Sequence, residues 1–238
     1  MKYLDLTLPS AAENLALDEA LLLEAEAGKR DEMLRLWEWP EPAVILGAGC
    51  KLSEDVDEKA CETDHVPILR RSSGGGTVLL SAGCLCFSLV LSYNRDPASQ
   101  EIRSSIRYIL GRIREQLLSI DSRIDLAGIS DLAIDGRKFS GNSQQRKRNY
   151  FLHHGTILYA MNLDLIGCYL RMPGRQPEYR EQREHEHFLM NLPINAENLK
   201  RQVTVAWNAT PGEVEWPGEM VRDLVESKYG SEEWTRRR

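Results

Sequence analysis

Across residues 10–27 the apolar positions Leu15, Leu17, Leu21, Leu22 and Ala25 recur at helical spacing, with Pro9 and Ser10 as start signals and Gly28 as a stop. This predicts a helix. A second long helix is predicted over residues 99–119, where Ile102, Ile106, Ile109, Ile113 and Leu117 line one face. Elsewhere the pattern breaks into short apolar runs bounded by Gly, Pro and Ser. Residues 34–37 and 43–46, separated by Pro40 and Pro42, read as strands. So do residues 66–69, 76–80, 84–92, 131–134 and 150–159. Shorter helices are predicted at 54–63, 163–170, 196–207 and 218–229, and residues 171–195, rich in charge and carrying Pro173, Pro177 and Pro193, read as an extended surface segment. The pattern predicts an α+β fold, with mixed β-sheets and flanking helices.

Composition narrows the class. The 238 residues are 42% hydrophobic and 28% charged, ordinary for a soluble globular protein. No apolar run approaches the roughly 18 residues of a membrane span. The first residues carry Asp5 and Glu13 and lack a basic start followed by an apolar core, so no signal peptide is expected. Five cysteines without CxxC spacing predict reduced thiols and a cytoplasmic setting. A net charge of −6 disfavours general nucleic-acid binding.

Two segments then stand out. Arg70-Arg71-Ser72-Ser73-Gly74-Gly75-Gly76 lies between apolar runs, and Gly136-Arg137-Lys138-Phe139-Ser140-Gly141-Asn142 follows later. Each puts cations beside small residues, which lets backbone N–H groups approach an anion while Arg or Lys neutralises it. A hairpin tip needs only one or two glycines, so the triple glycine predicts a backbone shaped around a ligand. Arg137, Lys138, Arg146, Lys147 and Arg148 form a basic run with no acid between residues 136 and 150. Such a local field inside an acidic protein favours phosphates or an acidic partner.

These segments, with Gly83, His153-His154-Gly155-Thr156 and the opening Asn14-Leu15-Ala16-Leu17-Asp18-Glu19-Ala20-Leu21-Leu22, closely resemble the motifs of the lipoate–protein ligase and octanoyltransferase family. The resemblance runs in consistent order over residues 3–170. It implies a class II synthetase/biotin-ligase-like catalytic domain over residues 1–195, with residues 196–238 as a short helical tail and no full accessory domain. It also implies ATP and Mg2+, lipoate as substrate, and lipoyl-domain acceptors, either a 2-oxoacid dehydrogenase E2 or the glycine cleavage H protein. A separate accessory subunit is compatible with the short tail. No membrane or nucleic-acid partner is expected.

Joining a medium-chain acid to a lysine amine requires an activated carboxylate, and an acyl-adenylate sets a negative phosphate beside an electrophilic carbonyl. Backbone donors and cations suit the phosphate, and a fixed cation suits the carbonyl oxygen. By resemblance, Lys138 is the catalytic residue. Arg70, Ser73, Gly74, Gly75, Gly76, Thr77, Asp131, Ser140, Gly141 and His154 surround the lipoyl-adenylate. His153 is expected on the opposite strand face from His154. His185 and His187 lack a third ligand at metal spacing and read as part of a polar segment facing solvent.

The rival route is octanoyl transfer from acyl carrier protein through a cysteine thioester, which needs an accessible thiolate. The two positions where transferase groups carry that cysteine hold Phe151 and Arg123 here, leaving Cys50 as the outside candidate. Cys84 and Cys86 lie in an apolar strand and are expected in or near the core. The third glycine, Gly76, favours the ligase group, whereas Leu80-Ser81 replaces a His-Asp pair that many ligases carry. A non-catalytic acyl-binding protein is the third reading.

Overall fold

The computed structural model describes residues 1–212 and 214–238. In chain order its strands are β1 (Lys2–Asp5), β2 (Met33–Glu38), β3 (Ala43–Leu46), β4 (Ile68–Arg70), β5 (Val78–Leu80), β6 (Cys84–Ser92), β7 (Ile124–Ala127), β8 (Asp131–Ile134), β9 (Arg137–Arg146), β10 (Tyr150–Leu158) and β11 (Thr210–Pro211). Eight of them make one mixed sheet in the order β11-β1-β2-β6-β10-β9-β8-β7, and β4-β3-β5 make a second. The helices are α1 (Ala11–Glu26), α2 (Leu52–Asp55), α3 (Glu58–Thr63), α4 (Ile102–Leu117), α5 (Asp164–Tyr169), α6 (His185–Phe188), α7 (Ala196–Ala206), α8 (Gly218–Leu224) and α9 (Glu232–Arg236). The α+β class is as the sequence predicts.

Period-2 alternation divides the large sheet's side chains between two cores. From β6, Leu85, Phe87, Leu89 and Leu91 pack with Ile106, Ile109 and Ile113 of α4 and with Leu199 and Val203 of α7. Cys84, Cys86 and Val90 point the other way, into the core shared by α1, the small sheet and α5. A large cavity opens on this second face.

Helix α1 is apolar on nearly every side because it is enclosed between the large sheet and the C-terminal helices. Ser10 caps it, its Oγ accepting from the Glu13 N–H at 3.2 Å and donating to the Glu13 carboxylate at 2.8 Å. The helix also carries buried polar groups. Arg35 of β2 ion-pairs with Asp18 at 2.6 Å and donates to the Asn14 carbonyl at 2.8 Å. Both Arg35 terminal nitrogens are hydrogen-bonded while its Nε has no partner, and removing either member of the pair would strand a charge.

Residues beyond 195 are built into both cores. Leu199, Val203, Ala206 and Trp207 belong to the α4 side, while Val221 and Tyr229 join the α1 side. Near the chain end, the Trp234 indole N–H donates to the Arg70 carbonyl at 2.8 Å.

Three elements differ from the sequence expectation. The stretch around Lys138 is strand β9 rather than a loop. Its turn is confined to Asp135 (φ 50°) and Gly136 (φ 74°), a two-residue hairpin in the left-handed region. The helix expected at 54–63 is split into α2 and α3, because Val56 is drawn into a bridge with Leu170. Residues 171–195 contain α6 and a single turn at Glu178–Arg180, and they bury Arg180, Phe188 and Leu192. One of their charges, Arg183, reaches the β8–β9 hairpin, donating to the Gly136 carbonyl at 2.9 Å.

Candidate active site

A cavity of about 860 Å³ lies between the large sheet, α1, the small sheet and the segment after α5. Its apolar part is lined by Leu15, Trp37, Ile45, Leu79, Leu80 and Ile166, and its polar part by the glycine loop, Asp131, Lys138 and His154. Leu80, standing where many ligases carry histidine, makes that wall apolar.

Register explains how Lys138 enters this site. Asp131 pairs with Gly141, and Leu132 with Ser140, but Ala133 pairs with Lys138. Phe139 is therefore an extra residue, a bulge, and its ring is fully buried. Without the bulge, Lys138 would share a face with Ser140. With it, Lys138 shares a face with Gly141 and Asp131. The Lys138 Nζ lies 2.8 Å from Asp131 Oδ1, and the Tyr179 hydroxyl donates to Asp131 Oδ2 at 2.7 Å.

The glycine loop is wired by one arginine. Arg71 Nη2 donates to the carbonyls of Gly74 at 2.5 Å and Gly76 at 2.8 Å, and its Nε donates to Ser73 Oγ at 3.1 Å. Burial pulls the Arg71 guanidinium down to about 10, still charged at neutral pH. Gly75 has φ 82°, which favours glycine, and its carbonyl lies 2.0 Å from where a Cβ on Gly47 would sit. Any side chain at residue 47 would push the loop away. Gly74 and Gly76 face open space.

Ser73 Oγ also lies 2.5 Å from His154 Nε2. The other ring nitrogen, Nδ1, lies 3.9 Å from Asp18 Oδ2, so the ring stands between Ser73 and Asp18. Burial, reinforced by the charge of Arg71, lowers His154 to about 3, so the ring is neutral. Thr77 faces the cavity and donates to Asp55 at 2.6 Å. Ser140 is buried, accepting from Asn142 Nδ2 at 3.1 Å.

Of the residues expected from sequence, Gly75, Gly76, Thr77, Asp131, Lys138, Ser140, Gly141 and His154 line the cavity together. Ser73 and Gly74 stand just behind that wall. Arg70 does not reach it. Its Nε donates to the Thr235 carbonyl at 2.9 Å, and its Nη1 to the carbonyls of Gly47 and Cys50 at 2.8 and 2.7 Å. Adjacent residues point to opposite sides of an extended chain, so only one of the two arginines can face the cavity, and it is Arg71. Alternation signalled that choice in the sequence without saying which arginine wins. His153 turns away from the cavity, 6.0 Å from the Phe87 ring. Asp18 and Tyr179 line the cavity without having been anticipated. Asp18 lay within the opening helix motif, whereas no local signal marked Tyr179.

The thiols are dispersed. Cys86 is on the cavity floor, 4% exposed, and burial beside Cys84 pushes its thiol well above the ordinary range. Cys50 sits behind the glycine loop, donating to the Gly75 carbonyl at 3.4 Å, and burial raises it too. Cys61 is buried and raised to about 11, and Cys168 is on the surface of α5. Phe151 is buried in the core on the other side of the sheet, and Arg123 is exposed and paired with Asp121 and Asp135.

The α+β domain thus carries a largely apolar cavity with a lysine–aspartate pair at its polar end. The chain matches the lipoyl protein ligase A/B catalytic domain over residues 10–206 and belongs to that family. It is 30% identical to the octanoyltransferase LipM of Oceanobacillus iheyensis over 216 residues, covering 84% of this chain and 78% of that one. Its fold is similar to the bi-partite lipoate protein ligase of Thermoplasma acidophilum, described with its E2 lipoyl domain (TM-score 0.83, 21% identity, 99% and 95% of the two chains). It is also similar to a lipoate-protein ligase A bound with ATP (TM-score 0.82, 22% identity, 99% and 98%). The protein is thus an enzyme of the lipoate ligase and octanoyltransferase family.

Proposed function

We propose that this enzyme activates lipoate, or the related octanoate, as an acyl-adenylate and transfers the acyl group to a lysine of a lipoyl domain. The observation that carries this reading is the distance between the cavity's thiol and its lysine. In the large sheet Gly141 pairs with Thr156, and Thr156 with Cys86. Two strand spacings, about 10 Å, therefore separate Cys86 from the position beneath Lys138. A thiol that is buried, neutral and that far from the cation is poorly placed to carry the acyl group.

In the first step a carboxylate oxygen of the acid attacks the α-phosphorus of ATP and pyrophosphate leaves. In the second the acceptor amine attacks the acyl carbonyl, AMP leaves and a proton is released. Lys138 would offset charge on the phosphate and on the carbonyl oxygen in both steps. Arg71 holds the glycine loop in the shape that receives the phosphate. The apolar wall of Trp37, Ile45 and Leu79 takes the hydrocarbon chain. No cluster of three or more metal-ligating side chains occurs among the described residues. Magnesium would enter with the ATP, held by its phosphates and water, with Asp131 as the carboxylate beside the lysine.

Similarity to LipM supports a second reading, octanoyl transfer from acyl carrier protein. By placement, Cys86 rather than Cys50 would then carry the thioester. The deciding experiment weighs an apo lipoyl domain, from an E2 or an H protein, after incubation with this enzyme and either ATP plus lipoate or octanoyl-acyl carrier protein. Mass gain only with ATP and free acid supports the adenylate route. Gain only with the carrier protein supports the transferase, and gain with neither refutes both.

A further inference from the structure

The segment after α5 reaches Lys138 twice. Its Met190 N–H donates to the Lys138 carbonyl at 2.9 Å, holding the main chain. Its Tyr179 reaches the side chain through Asp131, which accepts from the Tyr179 hydroxyl on Oδ2 at 2.7 Å and faces Lys138 Nζ with Oδ1 at 2.8 Å. Tyr179 is itself fixed in three ways. Its ring lies 5.2 Å from that of Phe188. It leans over Gly128, where a Cβ would stand 3.2 Å from Tyr179 Cε1. Arg183 Nη2 donates both to the Tyr179 carbonyl at 2.6 Å and to the carbonyl of Gly136 at the hairpin tip at 2.9 Å. Burial and the neighbouring Asp131 charge raise the phenol, so it keeps the proton that it donates to Asp131 at neutral pH.

From this geometry we infer that Tyr179 is a positioning residue for Lys138, acting through Asp131. The inference rests on the role in acyl transfer proposed above for Lys138. A carboxylate held at one oxygen can turn about its side-chain torsions, and one held at both cannot. With Oδ2 occupied by Tyr179, Oδ1 stays directed at the ammonium, and Lys138 lies extended across Gly141 instead of swinging towards solvent. The hydroxyl, not the ring, does this. The ring's packing on Phe188 and Gly128 would survive its removal.

Tyr179→Phe tests the inference with two readouts. The first needs no acyl transfer: the rate at which a small acetylating reagent labels Lys138, followed by peptide mass spectrometry. Labelling should be at least about threefold faster in Tyr179→Phe and in Asp131→Asn, and the double variant should be no faster than Asp131→Asn alone, as expected for residues acting as one unit. The second is acceptor modification, where kcat should fall about tenfold while the KM for the acyl acid stays within about twofold. Unchanged labelling, or independent effects that multiply in the double variant, would overturn the inference. If the wild-type enzyme transfers no acyl group, the functional reading fails while the labelling experiment still decides the role of Tyr179.

Discussion

Lys138 lies flat across Gly141: a methyl group at residue 141 would stand 2.7 Å from the lysine Nζ and 2.9 Å from its Cε. The glycine is the channel along which the side chain reaches Asp131. Gly141→Ala should therefore displace Lys138 without disturbing β9, whose backbone at this position stays in the strand. We expect acceptor modification to fall at least about 100-fold, with a far-ultraviolet circular dichroism spectrum unchanged. An alanine variant with wild-type turnover would show that Lys138 need not follow this path.

Lys138→Ala should abolish acyl transfer while the protein stays folded. The side chain is 27% exposed and packs mainly on glycine, and Asp131 keeps its Tyr179 hydrogen bond. Losing about 3 kcal/mol of charge stabilisation corresponds to more than 100-fold in rate. Single-turnover kinetics with the apo lipoyl domain measure this directly.

Cys86→Ser should leave ATP-dependent modification within about threefold of wild type, since the adenylate route uses no thiol. The substitution is nearly isosteric and tests the one thiol lining the cavity. A folded Cys86→Ser enzyme that loses transfer, beside a wild type needing no ATP, would replace the adenylate route with thioester transfer.

His153 should make the protein sensitive to acid. It is fully buried, and burial, with His154 beside it, lowers its pKa to about 3, below the value of about 6.5 it has when unfolded. The unfolded chain thus takes up a proton that the native state refuses. Stability is full above about pH 6.5 and declines as the pH falls towards 3, by up to about 1.4 kcal/mol per pH unit for this residue. His153→Leu should flatten that slope by about one proton, read from urea titrations between pH 6 and 4.

Trp234→Ala should weaken the glycine loop from behind. The indole donates to the Arg70 carbonyl, and Arg237 stacks 3.5 Å over its ring. Removing it should cost about 1–3 kcal/mol of stability and raise the KM for the acyl acid, because Arg70 also ties Thr235 to Gly47. An unchanged KM would mean that the chain end and the loop are independent.

Much of the site was legible because its chemistry is local. A triple glycine needs no partner to announce close backbone approach, and Lys138-Phe139-Ser140-Gly141 announces a cation beside small residues. Tyr179 was not legible, because its importance lies in Asp131, 48 residues away, and the charges around it look like ordinary surface. The strand character of residues 137–146 was hidden for a similar reason. Polar residues there are satisfied by neighbouring strands that the local pattern does not identify.

Periodicity established the α+β class, the two long helices and the opposite faces of His153 and His154 in β10, and cations beside small residues marked the two segments that meet at the cavity. These depend on neighbours a few residues apart, and burial acts on them with a fixed period. Long-range register settled the rest: that Arg71 and not Arg70 serves the glycine loop, that the bulge at Phe139 turns Lys138 towards Asp131, and that Cys86 rather than Cys50 shares the cavity. The first two turn on a single-residue shift in which face meets which. Such a shift leaves composition and hydrophobic pattern almost unchanged, yet it redirects a side chain to the opposite side of the sheet.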